Sequence, residues 1–429
     1  MAKHLFLLLF LLLYCTLSFS QDKSSSKKIT ATEVKLQTVL LPDCSHKSPD
    51  FKKYNDPAFY IPKENDPEKI IKVNFNIFQD KNGKDNFEAN AIDSVRLKNI
   101  FNWFNGFYID KHTPSDPIRG VTDLSKTFIR FELNGIYFYR DSLLTTSING
   151  QQLLQKIKSA DTSRMHEFNI CFTSGKLGTA AGITTSMPDF RFGEDMCIIM
   201  MNVYGKGNDG GDYAKAGTLA HEMGHALDLI HTYIGGGAST HCAKDSTDTE
   251  YLEDVYGKWP GNCPHFVTDA THSWAFDVFS SPTDRRTNNL MGGFQTAAYL
   301  SPKQIGIMQR ALSLKTIRRY VSNCPRSIND LSISNNETWD FDFRIYSGIV
   351  VESGAALTIK GRVSLPDSAK IIVKRKAKLI IDGGNITASC TEWRGIEFQK
   401  NKWWQIFAPS KKKRLVVKNG GSIEKNSHK

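Results

Sequence analysis

The sequence predicts an α/β (α+β) domain with a twisted mixed sheet, followed by a small all-β repeat domain resembling a β-solenoid. A period-two alternation of apolar and polar side chains at residues 71–77 indicates a half-buried strand. Apolar side chains at helical spacing follow it, and a 22-residue repeat lies near the C-terminus. With 429 residues, 40% apolar and 23% charged, the chain is long enough for two or three folded units.

The N-terminus has the composition of a signal peptide over residues 1–20. Lys3 precedes a nearly unbroken apolar run, which ends in small side chains of the kind that signal peptidase accepts. Lipoprotein processing at Cys15 is disfavoured because the bulky Tyr14 precedes it. No later apolar run reaches the roughly 18 residues that a membrane helix requires. We therefore expect a mature chain that starts at Gln21 and is secreted, extracellular or at the cell surface.

The formal net charge of +11 is spread along the chain. The densest basic run, Lys411–Arg414, has no interleaved aromatic residues, so we expect no nucleic-acid partner. Such a run is typical of a solvated face, and its use would be contact with an acidic surface or polymer.

Seven cysteines remain after the predicted signal peptide, an odd number, so at least one stays free or pairs outside the chain. An oxidising compartment favours disulfides, and Cys242 with Cys263 is the pairing we predict. No paired CxxC spacing occurs, which argues against a zinc site built from cysteines.

The polar segment 21–68 is expected to be a leader or pro-segment with little core of its own. The main α/β domain is predicted at 69–324. In its first half, residues 90–106 are predicted to form an amphipathic helix that packs on the sheet. Residues 128–139 and 197–204 are predicted to be strands, because they are rich in β-branched and aromatic residues.

Two further helices are predicted in the second half of this domain. Within 212–230, successive apolar residues are four, four and three positions apart, so on a helix they form one apolar stripe. A second helix starts at Ser301, which serves as N-cap, with Pro302 in the first turn and Gln304 completing a capping box.

A linker at 325–339 leads to the β-repeat domain at 340–429. Short β-rich units with glycine at the corners indicate a stacked β-solenoid, and two hairpins of a β-sandwich are the alternative. So few turns without a polar cap are marginal, which favours a truncated version of a longer protein. A third, looser copy of the repeat runs from Leu415 to Ile423. The two clear copies are Val351, Ala355, Leu357, Ile359 and Gly361, and then Val373, Ala377, Leu379, Ile381 and Gly383.

The residues that carry chemistry lie in HEMGHALDLIH, which starts at residue 221. On a helix, His221 and His225 are one turn apart on the same face, so both imidazoles can bind one metal ion. His231 lies too far along to share that face unless the chain turns sharply, which predicts a helix end near Asp228. Three nitrogen ligands with an open water position are typical of a catalytic zinc site.

Glu222 adjoins the first of these histidines. A carboxylate there can take a proton from a water that attacks a carbonyl carbon and pass it to the leaving amine. The sequence thus predicts hydrolysis of a peptide bond, with a protein or peptide as substrate.

The eleven-residue histidine spacing resembles the metzincin clan of zinc metallopeptidases, and "HEMGHALDLIHT" looks most like its pappalysin-like branch, which includes the secreted bacterial cytophagalysins. Over about 69–324, "DMCIIMMNVY" resembles the edge strand that binds substrate in that family, "YLEDVYG" its acidic stretch after the zinc helix, and "NNLMGGF" its Met-turn. The resemblance implies a Zn²⁺ cofactor and an apolar floor under the metal made by Met291. An ordinary core methionine is the alternative for Met291.

Two residues depart from the family pattern. Asp228 stands where the family has a glycine in a left-handed turn, and Asp is among the few other residues that tolerate that backbone. Gly293 stands where many relatives have a tyrosine near the metal, which predicts a weaker transition-state contact. The pappalysin-like branch also has calcium sites, and the acidic residues here that could supply oxygen ligands are Asp245, Asp248, Glu253 and Asp254. A solvated acidic loop is the alternative.

Three other interpretations stay open. A downstream glutamate, Glu250 or Glu253, could be the third ligand in place of His231. The chain could instead be an inactive, adhesin-like surface protein that binds through its β-repeat. A nucleophilic mechanism has little support, because no GxSxG elbow occurs.

Overall fold

The structure is a computed structural model. The described residues lie in the unit Lys47–Lys429. The predicted signal peptide and both cysteines of the predicted Cys242–Cys263 pair fall outside them. The described ranges are 48–110, 112–114, 121–124, 126–177, 181–185, 195–201, 211–232, 252–256, 265–268, 275–278, 288–292, 297–399 and 414–424.

A five-stranded mixed sheet forms the core of the first half, in the order β2-β1-β3-β5-β4, which confirms the predicted α/β domain with a mixed sheet. Strands β2, β1, β3 and β5 are parallel, and β4 pairs antiparallel with β5. These strands are β1 (Lys69–Gln79), β2 (Ile129–Arg140), β3 (Phe168–Phe172), β4 (Gly182–Thr184) and β5 (Cys197–Met200).

Strand β1 is buried on both faces, whereas the alternation predicted a half-buried strand. The apolar residues at positions 71, 73, 75 and 77, on which the prediction rested, lie in the main core as expected. The intervening Asn74 and Asn76 are also fully buried. The amide of Asn76 donates to Asn169 Oδ1 at 3.0 Å, and that of Asn74 donates to the carbonyl oxygen of Arg164. The polar residues that alternate with apolar ones in β1 therefore form hydrogen bonds to neighbouring segments. They do not indicate a face of the strand that is exposed to water.

The prediction that 197–204 forms an edge strand is wrong. Strand β5 lies between β3 and β4, so among the described strands it is β4 that forms this edge of the sheet. Residues 202–204 are not among those described. The run Cys197–Met200 is wholly buried, which is the pattern of an interior parallel strand rather than an edge strand.

Helices cover the sheet. Helix α2 (Ala91–Ile109) is three residues longer at its end than predicted, and Asn90 caps its start by accepting from Asp93 N. It packs on the helix Gly211–Ala226 (α4). Arg96 of α2 forms an ion pair with Asp212 of α4, with 2.8 Å between Arg96 Nη2 and Asp212 Oδ1. The helices, with α1 and α5 short, are α1 (Pro49–Asn55), α2, α3 (Gly150–Ala160), α4 (Gly211–Ala226), α5 (Glu253–Tyr256) and α6 (Pro302–Leu314). Among the described residues, no helix has the length and apolar character needed to cross a bilayer.

Helix α6 begins as the sequence predicts. The Ser301 hydroxyl accepts from Gln304 N, and the Gln304 side chain accepts from Ser301 N, so both halves of the capping box are present. Beyond the helix, a disulfide joins Cys324 to Cys390 in the β-repeat. Cys171 and Cys197 are free and buried.

The C-terminal part forms three parallel four-stranded sheets. Ile349 pairs with Ile371 and Leu357 with Leu379, which confirms the 22-residue repeat. Hairpins pair antiparallel, so the hairpin alternative is wrong for the paired strands. Two antiparallel strands, β6 (His265–Thr268) and β7 (Ala275–Val278), precede these sheets. The sheet strands are β8 (Leu331–Ile333), β9 (Glu337–Trp339), β10 (Phe343–Arg344), β11 (Ile349–Val351), β12 (Ala356–Ile359), β13 (Arg362–Leu365), β14 (Ile371–Val373), β15 (Lys378–Asp382), β16 (Asn385–Ala388), β17 (Ile396–Phe398), β18 (Leu415–Lys418) and β19 (Ser422–Ile423).

The described end of the predicted leader packs on this repeat. Tyr54 of α1 is fully buried and its hydroxyl donates to Glu337 at 2.7 Å, while its ring lies 5.5 Å from that of Trp339. The sequence assigned no fold to 21–68, since a seven-residue helix carries no readable period. The start of the repeat is thus covered by a segment that precedes the sheet in the chain.

Candidate metal centre

The turn that ends α4 brings the third histidine back towards the first two. Leu229 N donates to Gly224 O at 2.9 Å and Asp228 N donates to His225 O at 3.0 Å, which is the Schellman pattern. Asp228 has φ +77°, the left-handed value that the motif requires. The predicted helix end near Asp228 is therefore confirmed, and it redirects the chain so that His231 faces the helix.

The three histidines converge through their Nε2 atoms. His231 Nε2 lies 3.1 Å from His225 Nε2 and 3.1 Å from His221 Nε2. Zinc–nitrogen bonds of about 2.0–2.1 Å at tetrahedral angles place two ligand nitrogens about 3.3 Å apart. The spacing of the histidines therefore fits one zinc-sized ion, and these three side chains form one group of possible metal ligands.

Two of the imidazoles are oriented by main-chain carbonyls. His221 Nδ1 lies 2.8 Å from Leu290 O, and His225 Nδ1 lies 2.8 Å from Leu229 O. Carbonyls only accept, so each Nδ1 carries the proton and each Nε2 keeps its lone pair. Burial lowers the pKa of His221. For His231, burial and, to a smaller extent, the charge of the nearby His221 lower the pKa to about 4. Neutral imidazoles whose lone pairs converge repel one another unless a cation lies between them, so the donor set fits a metal.

Glu222 is 8% exposed and lies beside the edge strand β4. The Thr184 hydroxyl is 2.7 Å from Glu222 O and 3.1 Å from its Oε2. Burial raises the pKa of Glu222 to about 7, and the Thr184 contacts oppose that rise. A Cβ at Gly182 would lie 2.7 Å from Glu222 Cγ, so glycine there allows the close approach of β4 to α4. Sequence reasoning missed Thr184 because nothing links it to residue 222 along the chain.

On the peptide hydrolysis that the sequence predicts, replacing Thr184 by Val should lower the turnover number about tenfold with little change in KM, because the Glu222 carboxylate loses the hydroxyl that orients it. Steady-state kinetics on a fluorogenic peptide would measure this. Thr358→Val, on a strand of the β-repeat, is the matched control and should leave both constants unchanged. A purely structural role for Thr184 predicts lower stability with unchanged turnover per folded molecule.

Met291 is fully buried in the short 3-10 turn Leu290–Gly292. A Cβ at Gly224 would lie 2.6 Å from Met291 Sδ, so the thioether packs directly against the helix that carries the histidines. Met291 O accepts from Thr232 N at 3.1 Å, next to His231. The turn thus touches both arms of the histidine cluster, as an apolar floor would require. Its role stays a prediction, and Gly293 lies outside the described residues.

Asp228 has a second function besides its backbone conformation. Its Oδ2 lies 2.9 Å from Arg310 Nη2, and these side chains are 15% and 4% exposed. Arg310 Nη1 also donates to Asn55 O at 2.8 Å. The residue that departs from the family glycine therefore ties the turn before His231 to helix α6 and to the end of α1.

Calcium ligation and a glutamate as third zinc ligand find no support in the described residues. Asp254 Oδ2 accepts from Lys303 N at 2.6 Å, so this carboxylate caps helix α6. Burial raises the pKa of Asp254, which disfavours the charged form that calcium binds. Neither it nor Glu253 belongs to a group of possible ligands among the described residues. The remaining acidic candidates, Asp245, Asp248 and Glu250, lie outside the described residues.

No protein-family model matches the chain, and no curated protein matches it. Among solved structures, mature mirolysin of Tannerella forsythia in complex with a cleaved peptide is similar at 18% identity and a TM-score of 0.36, over 57% of this chain and 92% of that chain. Mirolysin in complex with compound 9 matches with the same values. A chaperone–substrate complex matches at 9% identity and a TM-score of 0.28, over 57% of this chain and 34% of that chain. TM-scores this low do not establish a shared fold.

Proposed function

We propose that this chain is a zinc-dependent endopeptidase of the metzincin type, in its pappalysin-like branch. The observation that carries the proposal is the convergence of three histidine Nε2 atoms at 3.1 Å spacings, two of them with Nδ1 committed to a carbonyl. His221, His225 and His231 would hold the ion. A decayed, adhesin-like protein has no need to keep such a buried polar group, so the alternative is disfavoured.

A bound zinc ion supplies Lewis acidity and a more acidic water. The protein's own residues do the rest. Glu222 takes a proton from the attacking water and gives it to the leaving amine nitrogen, and the Thr184 hydroxyl holds the carboxylate in place. The burial of Glu222 keeps bulk water from competing for that proton.

A substrate would bind along the edge of β4 that no described strand covers. An extended peptide antiparallel to Gly182–Thr184 would bond to its main-chain groups, which places the scissile carbonyl near Glu222. This assigns to β4 the role that the sequence gave to 197–204. The same proposal includes secretion of the protein. It also includes a β-solenoid form of the repeat and contact of the repeat with a surface or polymer.

Elemental analysis of the purified chain tests the metal, together with cleavage of a denatured protein with and without a chelator. We expect one zinc per chain, loss of cleavage with chelator, and recovery when zinc is returned. Chelator-resistant cleavage would contradict a metal-dependent mechanism. A chain that binds no zinc at micromolar concentration would contradict the whole proposal.

A further inference from the structure

A cavity of about 310 Å³ lies where the start of β1 meets the β-repeat. It is lined by the segment before β1, by helix α6 and by β10 with the residues after it. None of its lining residues belongs to the histidine cluster or to the edge strand β4. Its volume is at the lower end of the range for small-molecule sites.

Two buried cations line this cavity. Lys69 is 8% and Arg344 is 6% exposed. Lys69 Nζ lies 4.3 Å from the centre of the Tyr346 ring, and the Arg344 guanidinium lies 5.3 Å from it, so both charges lie near one side chain. Buried cations are normally paired with an anion. Within the part of the chain that the structure describes, neither has a carboxylate oxygen within 4.0 Å.

The neutral partners of these cations do not balance their charge. Lys69 Nζ donates to Gln309 Oε1, and Arg344 donates to the main-chain oxygens of Arg318, Val321 and, at 3.5 Å, Asn323. Arg344 Nε is buried with no partner in the described part of the chain. Burial is the main cause that lowers the pKa of Lys69 to about 8; Asp66 opposes this shift, and the nearby Arg344 adds to it.

The two carboxylates that line the cavity are engaged elsewhere. Asp66 accepts from Lys63 N at 2.9 Å and from the Ser327 hydroxyl at 3.2 Å. Asp330 accepts from Gly348 N at 2.9 Å and lies 3.6 Å from an Arg326 nitrogen. The cavity therefore has donors for a further anionic group.

The rest of the wall decides which anion fits. Phe59, Phe128 and Ile345 are among its lining residues and add apolar surface. We propose that this cavity binds a small carboxylate with an apolar body, whose carboxylate group lies between Lys69 and Arg344 and whose body packs on these three side chains. This site is separate from the proposed peptidase centre and does not depend on it.

Thermal unfolding of the mature chain with 3-phenylpropionate tests the proposal, and the neutral 3-phenylpropionamide is the matched ligand. At ten times its dissociation constant the acid should raise Tm by about 2 °C, whereas the amide should not. Inorganic phosphate should shift Tm less than the acid, because it leaves the apolar wall uncovered. An equal shift from phosphate or from the amide would overturn the proposal.

Lys69→Met removes the charge but keeps the apolar stem. Without ligand its Tm should equal or exceed that of the wild type, since an unbalanced buried cation is lost, and the acid should no longer raise it. Lys98→Met, at an exposed position on α2, should keep the response to the acid. An unchanged response in Lys69→Met would refute the assignment. If that variant fails to fold, saturation-transfer NMR of the wild type with acid and amide decides between the same two outcomes.

Discussion

Glu222→Gln should lower the turnover number for peptide cleavage by about 10²–10⁴ while the zinc content stays at one per chain. The amide has nearly the shape of the carboxylate and keeps the Thr184 contacts, but it cannot accept a proton from water. The histidines are untouched, so metal binding should be preserved. Cleavage of a denatured protein and elemental analysis on the same preparation measure both quantities.

Glu397→Gln, at a half-exposed carboxylate of the β-repeat, is the matched control and should retain full activity. If Glu222→Gln cleaves as fast as the wild type, the proton transfer assigned to Glu222 does not occur there. If it loses zinc as well, the residue supports the metal rather than the reaction. The two readouts thus separate a role in proton transfer from a role in holding the ion.

The histidine cluster was readable from sequence because it is local. Its three histidines and the turn between them lie within eleven residues, so the helical repeat and the tolerance of Asp for a left-handed backbone are enough to predict that the histidines converge. The 22-residue repeat was readable for the same reason: side chains that recur in sequence stack in space.

Other features of the site depend on contacts that leave no periodic trace. Thr184 reaches Glu222 from another strand, and the Leu290 carbonyl orients His221 from 69 residues away. The prediction of the edge strand is wrong because β-branched, apolar sequence is typical of strands buried on both faces, whereas the edge among the described strands, Gly182–Thr184, is short. A continuous apolar run therefore indicates that a strand is buried, but it does not indicate the position of that strand in the sheet.

Removing one partner of the pair between Asp228 and Arg310 should lower stability strongly, because both side chains are largely buried and the remaining charge loses its partner in this pair. Arg310→Met leaves the Asp228 carboxylate without its 2.9 Å contact and should lower the free energy of unfolding by about 3–5 kcal/mol. Asp228→Gly removes the same contact, but glycine relieves about 1–2 kcal/mol of left-handed backbone strain, so a smaller loss is expected. Urea unfolding of the metal-free chain measures both.

The double variant Asp228→Gly with Arg310→Met decides whether the pair acts as a unit. It removes both charges and places in the turn the glycine that its φ of +77° favours, so its loss should be smaller than that of Arg310→Met alone. Additive losses would mean that the two residues act independently. Because the turn directs His231, Arg310→Met should also weaken zinc binding, whereas the double variant should recover it. Such a recovery would show that Asp228, at the position where the resembled family has a glycine, needs Arg310 of helix α6 to hold His231 in position.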